Sequence, residues 1–218
     1  KVEQACQALM PHLGAIALSG LDPNQQIPIP IWMHRGCVPF ISHDHFNRIY
    51  WPTLKPIVEN IWARGNQTLF YAEGKWDAHL DTFSELSEGS IIFHIDRGDY
   101  RVAHEKLGKR FCLSGGVPNT LLAFGTPEQV KAHCKDLIDT CGAEGGFIMD
   151  ASAIMQNDAT VANVQAMTDF TREYGVYSQT PCSQAPAPPP AHRPAAPALP
   201  NAGSCIDWEK KLAEHPPI

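Results

Sequence analysis

The sequence predicts an α/β fold in which parallel strands alternate with helices, and three observations support it. Short apolar runs rich in Ile, Phe and Leu recur at residues 29–33, 68–72, 90–95, 110–113 and 146–149. Each is long enough for a buried strand, and a helix-like segment follows it. Polar residues stand at the end of each run: His34-Arg35-Gly36, Glu73-Gly74-Lys75, His94-Ile95-Asp96, Ser114-Gly115-Gly116 and Asp150. Strand then helix, five times over, implies parallel strands joined by right-handed crossovers. An open doubly wound sheet and a piece of a (β/α)₈ barrel both satisfy that pattern. The phosphate-binding patterns GxGxxG and GxxxxGKS/T are absent, which removes the usual reason to prefer a nucleotide-binding open sheet. In a barrel, the edge carrying those polar residues is the catalytic face.

The helical segments follow from local signals. Residues 1–17 read as a helix that begins at once with Lys1 rather than Met, so the chain is expected to start inside a larger polypeptide. Ser42 can cap the helix after the first strand, with Phe46, Ile49, Tyr50 and Leu54 on one face. Trp76, Leu80, Phe83 and Leu86 recur at helical spacing over 76–86, and 100–107 forms a short helix. Thr126-Pro127-Glu128 is an N-cap, a proline in the first turn and an acid, followed by the stripe Val130, Cys134, Leu137 and Ile138. Residues 163–174 form the last helix, closed by Gly175. Residues 181–200 hold eight prolines and six alanines, a composition that favours extended backbone and cannot pack a core. The expected organisation is a partial barrel domain over 1–180, a Pro/Ala-rich linker over 181–203 and a short C-terminal segment over 204–218.

Charge narrows the function classes. Seventeen Lys and Arg against 23 Asp and Glu give a net charge of −6, and nothing concentrates the positive charge that nucleic acid or an anionic membrane requires. The apolar stretches stop well short of the roughly 18 to 20 residues of a bilayer span. Seven cysteines, an odd count without a CxxC pair, fit reduced thiols, and the expected location is the cytoplasm.

Strand ends that converge on one mouth make His34, Glu73, His94, Asp96 and Asp150 the candidate site, with Arg35 and Lys75 as anchors for a substrate. Each has a plainer alternative. His34 can simply bond its turn. A carboxylate leaving an apolar strand, as Glu73 does, must find a partner or leave the core. His94 and Asp96 flank Ile95 and share a face, where they can ligate a metal or form an acid/base pair; Asp96 can equally bond Arg97 or cap the helix at Asp99. Glu73 and His94 offer the N and O donors that suit Zn²⁺. The Gly115-Gly116-Val117-Pro118 turn lets backbone approach a ligand, with Asn119 and Thr120 as caps or ligand contacts. His43, His45, His79, His104 and His133 read as surface or packing residues.

Phe40-Ile41-Ser42, Tyr50-Trp51-Pro52-Thr53-Leu54, Glu73-Gly74, Cys112-Leu113-Ser114-Gly115-Gly116-Val117-Pro118, Gly125-Thr126-Pro127-Glu128-Gln129-Val130, Gly145-Gly146-Phe147-Ile148, Asn163-Val164-Gln165-Ala166-Met167 and Glu173-Tyr174-Gly175 occur in this order. Together they resemble the uroporphyrinogen decarboxylase superfamily over roughly residues 28–177, most closely its methyltransferase-like branch. The resemblance implies the C-terminal portion of a TIM (β/α)₈ barrel, about five βα units, with the N-terminal half supplied elsewhere. It implies one of two activities: decarboxylation of a porphyrinogen, or methyl transfer to a corrinoid protein or a folate. The decarboxylase's Gly-His-Gly loop falls near Ala151-Ser152-Ala153, without histidine. The His-x-Cys and distant Cys that hold zinc in thiol-alkylating members correspond to Tyr71, Glu73 and Ser152. Ether-demethylating relatives use a Glu and a His separated as Glu73 and His94 are, while their upstream Glu is Val58 here.

The leading expectation is therefore metal-assisted methyl transfer. Zn²⁺ would be held by Glu73, His94 and His34, protons handled by Asp96 and Asp150, and substrate bound by Arg35, Lys75, Gly116 and Asn119. Porphyrinogen decarboxylation, with Arg35 and Lys75 holding carboxylates, is the alternative. An inactive binding fragment is a third, motivated by Gly116 in place of the family's Asn.

Overall fold

A computed structural model describes residues 1–176; the Pro/Ala-rich linker and the C-terminal segment lie outside the described residues. Five strands, β1 (Ile29–Trp32), β2 (Thr68–Ala72), β3 (Ile91–Ile95), β4 (Cys112–Val117) and β5 (Phe147–Ala151), form one parallel sheet in the order β1-β2-β3-β4-β5. Consecutive strands are neighbours throughout, the stave order of five successive units of a (β/α)₈ barrel.

Register assigns the two faces. Ile31, Phe70, Phe93, Leu113 and Phe147 lie abreast, and so do Trp32, Tyr71, His94, Ser114 and Ile148 one residue on. Because side chains alternate, these rows project to opposite faces. The first packs with Phe46, Trp51, Trp76, Leu80 and Phe83 into the main core. The second runs from well covered in the middle to open at its ends: His94 is buried, whereas Trp32 and Ile148 on the outer strands are 55% and 48% exposed.

The helices are α1 (Val2–Ser19), α2 (His43–His45), which runs on through a π-helical stretch (Phe46–Tyr50) into α3 (Trp51–Ala63), then α4 (Leu80–Phe83), α5 (Tyr100–Leu107), α6 (Asn119–Phe124), α7 (Pro127–Leu137) and α8 (Val161–Tyr174). Their starts obey the capping signals. The Ser42 hydroxyl accepts from His45 N–H, and Asp99 accepts from Arg101 and Val102. Thr126 and Gln129 close a reciprocal capping box. The last helix starts earlier than its apolar pattern suggests, because Thr160 caps it by accepting from Asn163 N–H.

The structure corrects other boundaries. The fourth strand begins at Cys112 and extends to Val117, since Gly115 and Gly116 continue the ladder at φ +84° and +90°. No Cβ fits at Gly115: it would lie 2.5 Å from the Ile95 carbonyl oxygen. Instead of one helix over 76–86 there is a 3₁₀ turn (Asp77–His79) before α4. Trp76, His79, Leu80 and Phe83 are all essentially inaccessible, and the tighter turn aligns residues three apart so that this short segment buries them together. Among the described residues no helix is long and apolar enough to cross a membrane, and Cys6, Cys37, Cys112, Cys134 and Cys141 are free thiols.

His79 is a packing residue. Its ring stacks on Phe46 with centroids 3.7 Å apart and on His43 at 5.4 Å, and neither ring nitrogen has a hydrogen-bond partner. Burial, helped by the neighbouring His43, pushes its pKa down to about 4. The unfolded chain therefore binds a proton that the native ring refuses between the ordinary value of 6.5 and about 4. The stability this ring contributes should be complete above that window and fall as pH drops through it. Urea denaturation across the window should reveal the slope, and His79→Phe should flatten it; an unchanged slope in the variant would assign the acid sensitivity elsewhere.

Candidate active site

The C-terminal strand ends hold a cavity of about 800 Å³. Glu73, Lys75, Asp96, Gly116 and Asn119 line it, as the sequence reading expects of residues at strand ends. So do Arg97, Tyr100, Arg101, His133, Ser152 and Gln156, which that reading leaves out of the site. His34, Arg35, His94 and Asp150 are not in its lining.

Glu73 follows β2 directly and its carboxylate meets His34 Nδ1, so the charge leaving the strand finds the partner its position demands. Both side chains remain half exposed. The Glu73 carbonyl accepts from the Trp76 indole at 2.9 Å, which turns the chain sharply after β2. Gly74 stands at φ +102°, where a Cβ would lie 2.5 Å from Cys37 Sγ. Lys75 faces Asp77 at 3.5 Å. Arg35, itself at φ +52°, lays its guanidinium over Phe40 rather than into the cavity.

His94 lies within β3, on the face opposite the main core. Its ring stacks on Tyr71, with centroids 4.6 Å apart and planes 13° off parallel. Nδ1 is 3.2 Å from Ser114 Oγ and 4.0 Å from Asp150 Oδ2, and the buried Nε2 has no partner. Burial holds its pKa below the ordinary histidine value against the opposing pull of Asp150 and Asp96. Burial thus disfavours the imidazolium form of this ring. Asp150 is exposed, and its Oδ1 accepts from Ala151 N–H.

Asp96 differs from the acid/base role expected of it. Its side chain is 8% exposed and both oxygens are engaged: Oδ2 accepts from Gly74 N–H at 2.7 Å and Oδ1 from Ala153 N–H at 3.2 Å. It does not cap α5, whose cap is Asp99.

One wall of the cavity is braced from α7. The Tyr100 hydroxyl donates to Asp136, and Arg101 Nη2 reaches both Asp136 oxygens at 2.6 and 2.8 Å. Asp136 is held below the usual carboxylate range by Tyr100 and then Arg101, while burial and Asp136 push Tyr100 up to about 12. His133 Nε2 donates to the Gly116 carbonyl at 2.8 Å. These residues carry no signal of strand-end placement, because they come from helices that fold back over the strand ends.

The expected zinc ligands do not gather. Glu73 pairs with His34, while His94 pairs with Ser114, and among the described residues no group of three or more His, Cys, Asp or Glu side chains is placed to hold a metal ion. The donor set present does not fit the three-residue zinc site expected from the sequence.

The sequence model of the family described as Uroporphyrinogen decarboxylase (URO-D) matches residues 31–174, well over half of the chain. No curated protein matches it. The chain belongs to the URO-D family, whose fold is the TIM barrel, and the family points to an enzyme. The match leaves the choice between decarboxylation and methyl transfer open.

Titration by NMR checks the electrostatics of the site. His94 should titrate below an exposed histidine, and Asp150→Asn should lower it further, because the negative charge that favours imidazolium is removed. An unchanged or higher value in the variant would contradict the geometry.

Proposed function

We propose that this chain forms the strand-end site of a URO-D-family enzyme that transfers a methyl group from a small methylated molecule to a corrinoid protein or a folate. The observation that carries this reading is the segment Ala151-Ser152-Ala153. It runs beside the cavity and presents only a serine, whose hydroxyl is used by the Asp96 carbonyl at 3.0 Å. The resemblance to the decarboxylase puts a histidine-bearing loop at that position, and none is present.

In methyl transfer, the bond between the methyl carbon and the donor's oxygen breaks as a bond to the acceptor forms, and the leaving oxygen takes up a proton. The Glu73–His34 pair holds a proton at the mouth between Nδ1 and a carboxylate oxygen, where it can be delivered. His94 lies on the adjoining strand, outside the cavity lining, with its buried Nε2 unpartnered. Asn119 and Gly116 line the cavity together with Glu73. Zn²⁺ remains an expectation of the resemblance. Further polypeptide that completes the barrel would cover Trp32 and Ile148, and a cytoplasmic location agrees with the free thiols.

Decarboxylation is favoured by one observation: Lys75, Arg97 and Arg101 all line the cavity, a setting for substrate carboxylates.

Both reactions can be assayed with one preparation of the protein, using methyl ethers with reduced corrinoid or tetrahydrofolate as acceptor, and uroporphyrinogen in parallel. Methyl transfer should be seen, and Glu73→Gln and His34→Ala should each lower it by about 10²-fold or more. Turnover of uroporphyrinogen without methyl transfer would establish the decarboxylase reading instead.

A further inference from the structure

Between β5 and α8 the chain crosses the strand ends in a segment fixed at both limits by backbone bonds. Ser152 N–H donates to Val117 O at 2.8 Å and Thr160 N–H to Leu122 O at 3.1 Å. Between these anchors, the bonds from the segment to the barrel body run through side chains of three other strand ends. Asp96 Oδ1 accepts from Ala153 N–H at 3.2 Å, and the Tyr71 hydroxyl accepts from Ile154 N–H at 2.7 Å. Asn119 Nδ2 donates to the carbonyls of Ala153 and Ile154 at 2.9 and 3.1 Å. Such bonds break without disturbing the sheet ladder. Ile154 itself stands at φ +56°, a conformation that a β-branched residue adopts only under strain. Ile154 and Met155 are 42% and 47% exposed. Ser152, Ala153, Ile154 and Gln156 form one side of the cavity.

We infer that residues 153–159 are a strap that opens and closes over the cavity, hinged at Ser152 and Thr160 and latched by Asp96, Tyr71 and Asn119. The strain at Ile154 works against the latches, so the closed form is held by a few side-chain hydrogen bonds, of which the one to the buried Asp96 carboxylate is the strongest. Opening gives a ligand access from the side of β2 and β5, and closing brings the Asp96 and Asn119 contacts back around it. Asp96 is then a positioning residue that couples the strap to the turn after β2 through Gly74. This device does not depend on which reaction the cavity performs.

Amide hydrogen exchange of the whole chain, followed by NMR, tests the strap without a ligand. Ala153 and Ile154 should exchange by a local opening at least about tenfold faster than the central amides of β3, since opening costs only side-chain bonds. Tyr71→Phe should speed exchange at Ile154 about fivefold or more and leave β3 unchanged. Asn119→Ala should do the same from the β4 side. Ile154→Asn, which tolerates positive φ, should slow both amides. Exchange of Ala153 and Ile154 at the β3 rate, or variants that speed every amide alike, would overturn the proposal by making the segment part of the global folding unit.

Discussion

The carboxylate of Asp96 ties together the chain just past three strand ends. One oxygen takes the amide of Gly74 after β2 and the other that of Ala153 after β5, while its own carbonyl accepts from Ser152. A carboxylate buried to this degree is tolerated only when its acceptor sites are filled; backbone amides fill them, and Arg97 Nε stands 3.8 Å from Oδ2 as a counter-charge. The loops tied back to β3 border the cavity: Glu73 and Lys75 line it, and so do Ser152, Ala153, Ile154 and Gln156.

That constraint also explains how the site divides its ionisable groups. Glu73 points outward to His34 at the rim, while the next strand turns His94 to the face opposite the core, covered by the Tyr71 ring and bonded to Ser114. Glu73 and His94 are thereby drawn into separate pairs. What remains is a partly exposed Glu73–His34 pair, whose glutamate lines the cavity together with Arg97 and Arg101, and a buried His94 that lies outside that lining.

Much of this architecture was legible in the sequence. Apolar runs of strand length with helices between them announced parallel staves, and Thr126-Pro127-Glu128 marked a helix start that the capping box realises. Glu73, Lys75, Asp96, Gly116 and Asn119 were readable as mouth residues because each follows or ends a strand. Their partners were not. Whether Asp96 handles protons or holds backbone depends on amides 22 and 57 residues away, and no local pattern reports such distant contacts. Arg101 and His133 lie on helices with ordinary surface spacing, so only tertiary packing brings them to the cavity. The broken helix after Trp76 was hidden for a related reason: the same spacing serves an α-helix or a 3₁₀ turn, and burial of His79 decides between them.

The central claim is that one carboxylate organises the mouth. Scalar couplings across hydrogen bonds, measured by NMR from the Asp96 carboxylate carbon to the amide nitrogens of Gly74 and Ala153, test it most directly. The account predicts that both couplings are present and that Asp96→Ala shifts both amides together. Absence of both couplings, with neither amide moved by the substitution, would contradict it.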